Sequence, residues 1–111
     1  MPTLLPKDSD NNIIPAVRLK AGGAHSVSIA SSSARTSGAF AADTRIVSLY
    51  ATVPVYIKFG DSSVAATASD HYFPAGVYYD FAVGGGDVPQ YGYIAALRVS
   101  TDGALYISEK E

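Results

Sequence analysis

The sequence predicts an all-β domain, a jelly-roll or Greek-key β-sandwich preceded by an extended N-terminal arm. Three observations carry that prediction. Between Arg45 and Val83 the chain reads RIVSLYATVPVYIKFG, DSSVAATASDHYFPAG and VYYDFAV, and within these runs large apolar residues recur at every second position. Gly, Pro, Asp and Ser punctuate them at short intervals. No segment carries the 3.6-residue period of a helix.

Length and composition set the frame. At 111 residues the chain is read as one domain, with 1–12 as the arm and 13–111 as the sandwich. It has no cysteine, which excludes disulfide frameworks, thiolate zinc sites and cysteine nucleophiles. A net charge of −2 with interspersed signs argues against a nucleic-acid surface, which needs a basic stripe. Charged residues make up 16% and apolar residues 48%, so either a partner covers part of the surface or Ser, Thr and Gly supply the polarity. The start, MPTLLPKDSDNNIIP, lacks the cationic and apolar regions of a signal peptide. Apolar stretches are strand-sized, too short to span a bilayer. The expectation is a chain made in a cytoplasm, with no membrane partner.

Each element follows from its pattern. In the arm, Pro2 and Pro6 block regular pairing and KDSDNN is too polar to build a core, which leaves Leu4 and Leu5 either loosely packed or docked on a partner. IIPAVRLK alternates after its proline, with Val17 and Leu19 on one face, and AGGA is read as a turn. His25 to Ala30 is a short strand with Val27 and Ile29 inward. SSSARTSGAFAAD is a small-residue crossing between sheets in which only Phe40 can anchor to a core. From Arg45, residues Val47, Leu49, Ala51 and Val53 share one face, and Pro54 breaks the ladder. Val55, Ile57 and Phe59 form the next inner face, Gly60 to Ser63 turns, and Val64 to Ser69 is weak. Pro74-Ala75-Gly76 is a tight turn with a glycine where φ is positive. Val77, Tyr79, Phe81 and Val83 then point one way, and GGGDVPQ is a loop. Tyr91 to Val99 is apolar on both faces and so central, and Thr101-Asp102-Gly103 is a hairpin signal before Leu105 and Ile107. Seven or eight strands result.

No catalytic, metal or cofactor site emerges. A hydrolase triad needs His25 or His71 beside a serine and a carboxylate, and no GxSxG stands in the sequence. Asp70 and His71 are adjacent, and neighbours in a strand point to opposite faces, which is poor for one ion. Asp80, Asp87 and Asp102 lack calcium-loop spacing. Gly84 to Asp87 lacks the Lys and Ser/Thr of a phosphate loop. Asp61 and Asp70 are suited to accept local backbone N–H bonds. The eight tyrosines are more informative. Tyr50, Tyr56 and Tyr78 fall opposite the most apolar face in three strands, where amphipathic rings serve a protein interface, stack on sugar, or merely flank the core.

A resemblance adds to this reading. The Tyr-Ile-Lys-Phe-Gly of Tyr56 to Gly60, the Val–x–Ala–Thr of Val64 to Thr67, Asp70 with Pro74 to Gly76, Tyr93 to Ala96, and Leu105 to Ile107 stand in the order found in small virion proteins of tailed phages. The chain resembles the jelly-roll stapling, or decoration, proteins on the capsid exterior of short-tailed enterobacterial phages. The likeness runs from Arg45 onward. It implies a non-enzymatic structural protein without cofactor, made in the bacterial host and located on the outside of the virion. Its implied partner is the major capsid protein, whose neighbouring subunits it would staple. Shells offer many local two-fold axes, so the expected form is a homodimer. The alternative is a carbohydrate-binding module of a head fibre or tail.

Overall fold

The computed structural model describes residues 7, 9–12, 18–84 and 89–110. Among them there is no helix. Eight strands form: β1 (Leu19–Ile29), β2 (Ala34–Arg35), β3 (Ile46–Ala51), β4 (Val55–Gly60), β5 (His71–Phe73), β6 (Tyr78–Ala82), β7 (Tyr93–Arg98) and β8 (Gly103–Lys110). They build two antiparallel sheets, ordered β1-β8-β3-β6 and β2-β7-β4-β5. Only β4 and β5 are joined within one sheet, and every other connection passes to the opposite one.

The alternation that predicts strands also places the core. Val27, Ile29, Val47, Leu49, Leu105 and Ile107 of the first sheet meet Val55, Ile57, Ile94 and Ala96 of the second in one buried cluster. The arrangement is sandwich-like, and each large aliphatic side chain fully buried in it contributes about 1.5–3 kcal/mol. Phe40 enters the same cluster from the crossing segment, as expected of its lone large side chain. Strand β7 lies between β2 and β4, with Ile94, Ala95 and Ala96 fully buried, in keeping with a strand apolar on both faces.

The turns follow their residues. Gly76 has φ of 81° and its N–H donates to the Ala51 carbonyl at 2.9 Å. A Cβ on Gly60 would lie 2.8 Å from the Val64 side chain. Asp61 Oδ1 accepts from the Ser63 N–H at 2.9 Å and Asp70 Oδ2 from the Thr67 N–H at 2.7 Å. These bonds hold both carboxyls below their ordinary range: for Asp61 the Ser63 hydroxyl and N–H, for Asp70 chiefly the Thr67 N–H.

Three expectations are corrected. AGGA does not turn the chain. β1 runs through it, and Gly22, at φ 74°, forms part of a bulge between the Leu19–Lys110 and Ala24–Ser108 pairs. Thr101-Asp102-Gly103 does not close a hairpin, because β2 and β4 already occupy both edges of β7 and β8 must pair in the other sheet. Val77 precedes β6 and is exposed, so the inward set on that strand is Tyr79 and Phe81, with Val83 buried just beyond. Most of the arm, including Leu4 and Leu5, lies outside the described residues, as do Val17 and Asp87.

Candidate interaction surface

The outer face of the β1-β8-β3-β6 sheet is built from alternate residues opposite the core. Register places Ser26 beside Tyr106, Tyr106 beside Tyr50, and Tyr50 beside Tyr78, so one row crosses all four strands. The Tyr50 and Tyr78 rings lie 4.7 Å apart, and Tyr78 and Tyr106 are 76% and 52% exposed. Around the row stand small side chains: Ala24 and Ser28 on β1, Ala104 and Ser108 on β8, and Ser48 on β3. Asp80 and Lys110 form an ion pair of 2.8 Å on this face, and among the described residues of these four strands' outer positions they are its only charges. The result is a nearly neutral platform of small residues carrying three rings in line.

Tyr50 and Tyr78 therefore come together, as sequence analysis did not specify. Tyr56 also points outward, but from the opposite sheet, where its ring meets Tyr72 at 6.1 Å. That second face is partly covered by the chain itself. Residues 61–69 fold over it, Val64 and Ala66 pack on Ala95, and the Ala66 N–H donates to Ser33 Oγ at 2.8 Å. The two outer faces thus differ among the described residues: no described segment lies over the one that carries the tyrosine row, and the other is half-closed. Tyr106 was missed, although its place between Leu105 and Ile107 marks it as outward by simple alternation.

A polar cluster sits inside. Glu109, 4% exposed, points inward from β8. Its Oε2 meets His25 Nε2 at 2.7 Å, and its Oε1 accepts from the Ala41 N–H at 2.8 Å and from the Thr44 hydroxyl. Burial by itself raises this carboxyl's pKa; the bonds from Thr44, His25 and Ala41 outweigh burial and hold it below its ordinary value. Gln90 Nε2 donates to the carbonyls of Ala41 and Thr44, each at 2.7 Å, and Lys20 Nζ reaches Asp43 at 2.7 Å. The Lys20 ammonium holds the Asp43 carboxyl well below the usual carboxylate range. A Cβ on Gly23 would lie 2.8 Å from that of Glu109, which is why the strand carries a glycine there.

The cluster fastens segment 41–44 between the sheets. It contains an imidazole, a carboxylate and a hydroxyl, but the Thr44 hydroxyl gives its proton to Glu109 and makes no described bond to His25. Thr44 is itself buried. A nucleophile needs its base alongside and a path for substrate. His71 lies apart on β5, and Asp70 bonds locally to Thr67. No group of three or more His, Asp or Glu side chains among the described residues is placed to hold a metal ion. No described helix is long and apolar enough to cross a membrane.

No family model, curated protein or solved structure matches this chain.

Proposed function

We propose that the chain is a non-enzymatic structural protein that docks by the tyrosine face of its β1-β8-β3-β6 sheet on a protein assembly. The row Tyr106–Tyr50–Tyr78 on a small, nearly neutral platform is the observation that carries this reading. Tyrosine buries a large area at little conformational cost, and Ser-rich surroundings allow close approach with adaptable hydrogen bonds. The ladders support a jelly roll as the architecture. β1 pairs β8, β2 pairs β7, β3 pairs β6 and β4 pairs β5, as in one long hairpin wound so that successive pairs alternate between sheets. Viral capsid domains and lectins use that winding.

The sequence resemblance supplies the specific form of the proposal. The chain staples neighbouring major capsid protein subunits on the outside of a short-tailed phage shell, as a homodimer astride local two-fold axes. Many modest contacts repeated by symmetry then strengthen the shell together. The test is binding of the purified protein to bare shells, with its association state followed by analytical ultracentrifugation. Tyr78→Ala and Tyr106→Ala are each expected to weaken docking by about 1–2 kcal/mol with little change in folding. Tyr56→Ala, on the other face, separates docking from any second contact. Wild-type binding by a variant lacking all three rings of the row would reject the surface. The second reading, carbohydrate recognition, rests on the same exposed rings, and a glycan-array signal without shell binding would favour it.

A further inference from the structure

The inner side of the β5 and β6 edges has a chemistry that the tyrosine face does not use. Phe59, Phe73, Tyr79, Phe81 and Tyr91 form a linked aromatic cluster there, with ring centroids 5.0–6.3 Å apart. None of the five is fully buried. They leave a partly open cleft of about 240 Å³ lined by Ile57, Phe59, His71, Phe73, Phe81, Ala82 and Tyr91. An apolar cavity of about 150 Å³ accepts a benzene molecule. This one has room for one ring with a small substituent, and too little for the 300 Å³ or more of a drug-sized ligand.

Chemistry narrows the occupant further. Among the described residues no Lys, Arg, Asp or Glu lines the cleft, and against such a lining a charged ligand would lose its hydration without a counter-charge. Aromatic walls favour an aromatic guest through offset and edge-to-face contacts. Among the described lining residues, His71 and Tyr91, both exposed, carry the only polar side-chain atoms and suit one hydrogen bond to a ring substituent.

We propose that the cleft between the β5 and β6 edges is a binding site for a free, neutral, monocyclic aromatic molecule with one hydroxyl group, a simple phenol. The proposal is independent of docking by the tyrosine face. It is tested by titrating the ¹⁵N-labelled full chain with p-cresol, with benzoate, and with a blocked Val-Tyr-Val peptide. p-Cresol should shift the amides of Ile57, Phe59, Phe73 and Phe81 and leave those of Tyr50, Tyr78 and Tyr106 in place. Phe73→Leu, which replaces one aromatic wall of the cleft with an aliphatic side chain, should weaken p-cresol roughly three- to tenfold. His71→Ala should weaken p-cresol but leave toluene binding intact. No shift up to the solubility limit, or shifts centred on the tyrosine row, would overturn the site. Benzoate binding as tightly as p-cresol would overturn the neutral class. Tighter binding of the peptide would make the cleft a seat for a partner's side chain and overturn the assignment to a free molecule.

Discussion

The two sides of the interior are finished differently. Towards β1 and β8, the segment carrying Phe40, Ala41 and Thr44 is locked by Glu109, His25 and Gln90, and Phe40 is almost fully buried against the His25 ring at 5.3 Å. Towards β5 and β6, five aromatic rings meet in edge-on, tilted and stacked contacts and none is sealed. The first side spends polar groups on closure; the second leaves apolar surface open to solvent. Stability should therefore concentrate on the first side, and tolerance and ligand access on the second.

The largest expected effect comes from removing the centre of the closed side. Glu109→Ala leaves the Thr44 hydroxyl, the Ala41 N–H and the His25 imidazole without their acceptor, and should cost about 3–5 kcal/mol in urea unfolding. Against a total of about 5–11 kcal/mol for a chain this size, that variant stands near the edge of folding. Phe40→Ala should cost a similar ~3–5 kcal/mol, while Phe73→Ala, already half open, should lose about half as much. Equal losses at the two phenylalanines would abolish the contrast.

Smaller effects sharpen it. His25→Ala should cost about 1–2 kcal/mol, because a partly buried bond to a carboxylate is lost, whereas His71→Ala should stay within about 0.5 kcal/mol. The sequence reading assigns neither histidine a catalytic or metal-binding role, and the structure gives His25 a structural one through Glu109.

pH gives a further check. Glu109 titrates lower in the folded chain than its ordinary 4.5, so between those values the unfolded state binds more protons. Its contribution is complete above about 4.5 and is lost as pH falls through the folded value. Wild type should therefore lose more stability than Glu109→Gln on acidification below about pH 5. Asp43, Asp61 and Asp70 shift in the same direction in both proteins and leave the difference intact. Parallel pH profiles would remove Glu109 from the closure.

What was legible in the sequence was local. A period of two sorts residues between inside and outside, so Val47, Leu49, Val55 and Ile57 read as core and Tyr50, Tyr56 and Tyr78 as outward. Which strands share a sheet depends on pairing between distant segments, and no local pattern states it. The tyrosine row was therefore invisible as a row, and Tyr56 could not be separated from the other two. Glu109 stands in the sequence as one charge in the polar run SEKE, and its partners lie 65 to 84 positions away. Thr101-Asp102-Gly103 carries a turn signal, but the occupied edges of β7 decide where the chain goes next.

The placement of β8 between β1 and β3 has a consequence for how the protein is made. Leu105 pairs with Val27 on one side and Ala51 on the other, so the middle of the first sheet is filled by a strand that follows the other seven described strands in the chain. Until residues 103–110 leave the ribosome, β1 has no partner among the described strands of its sheet. Only the β4–β5 hairpin can close from neighbouring sequence, and such long-range pairing makes folding slow. A nascent chain must therefore hold exposed apolar strands until β8 has emerged, which is when it is most prone to aggregate. Arrested chains should stay protease-sensitive until β8 clears the exit tunnel, then become protected in a single step.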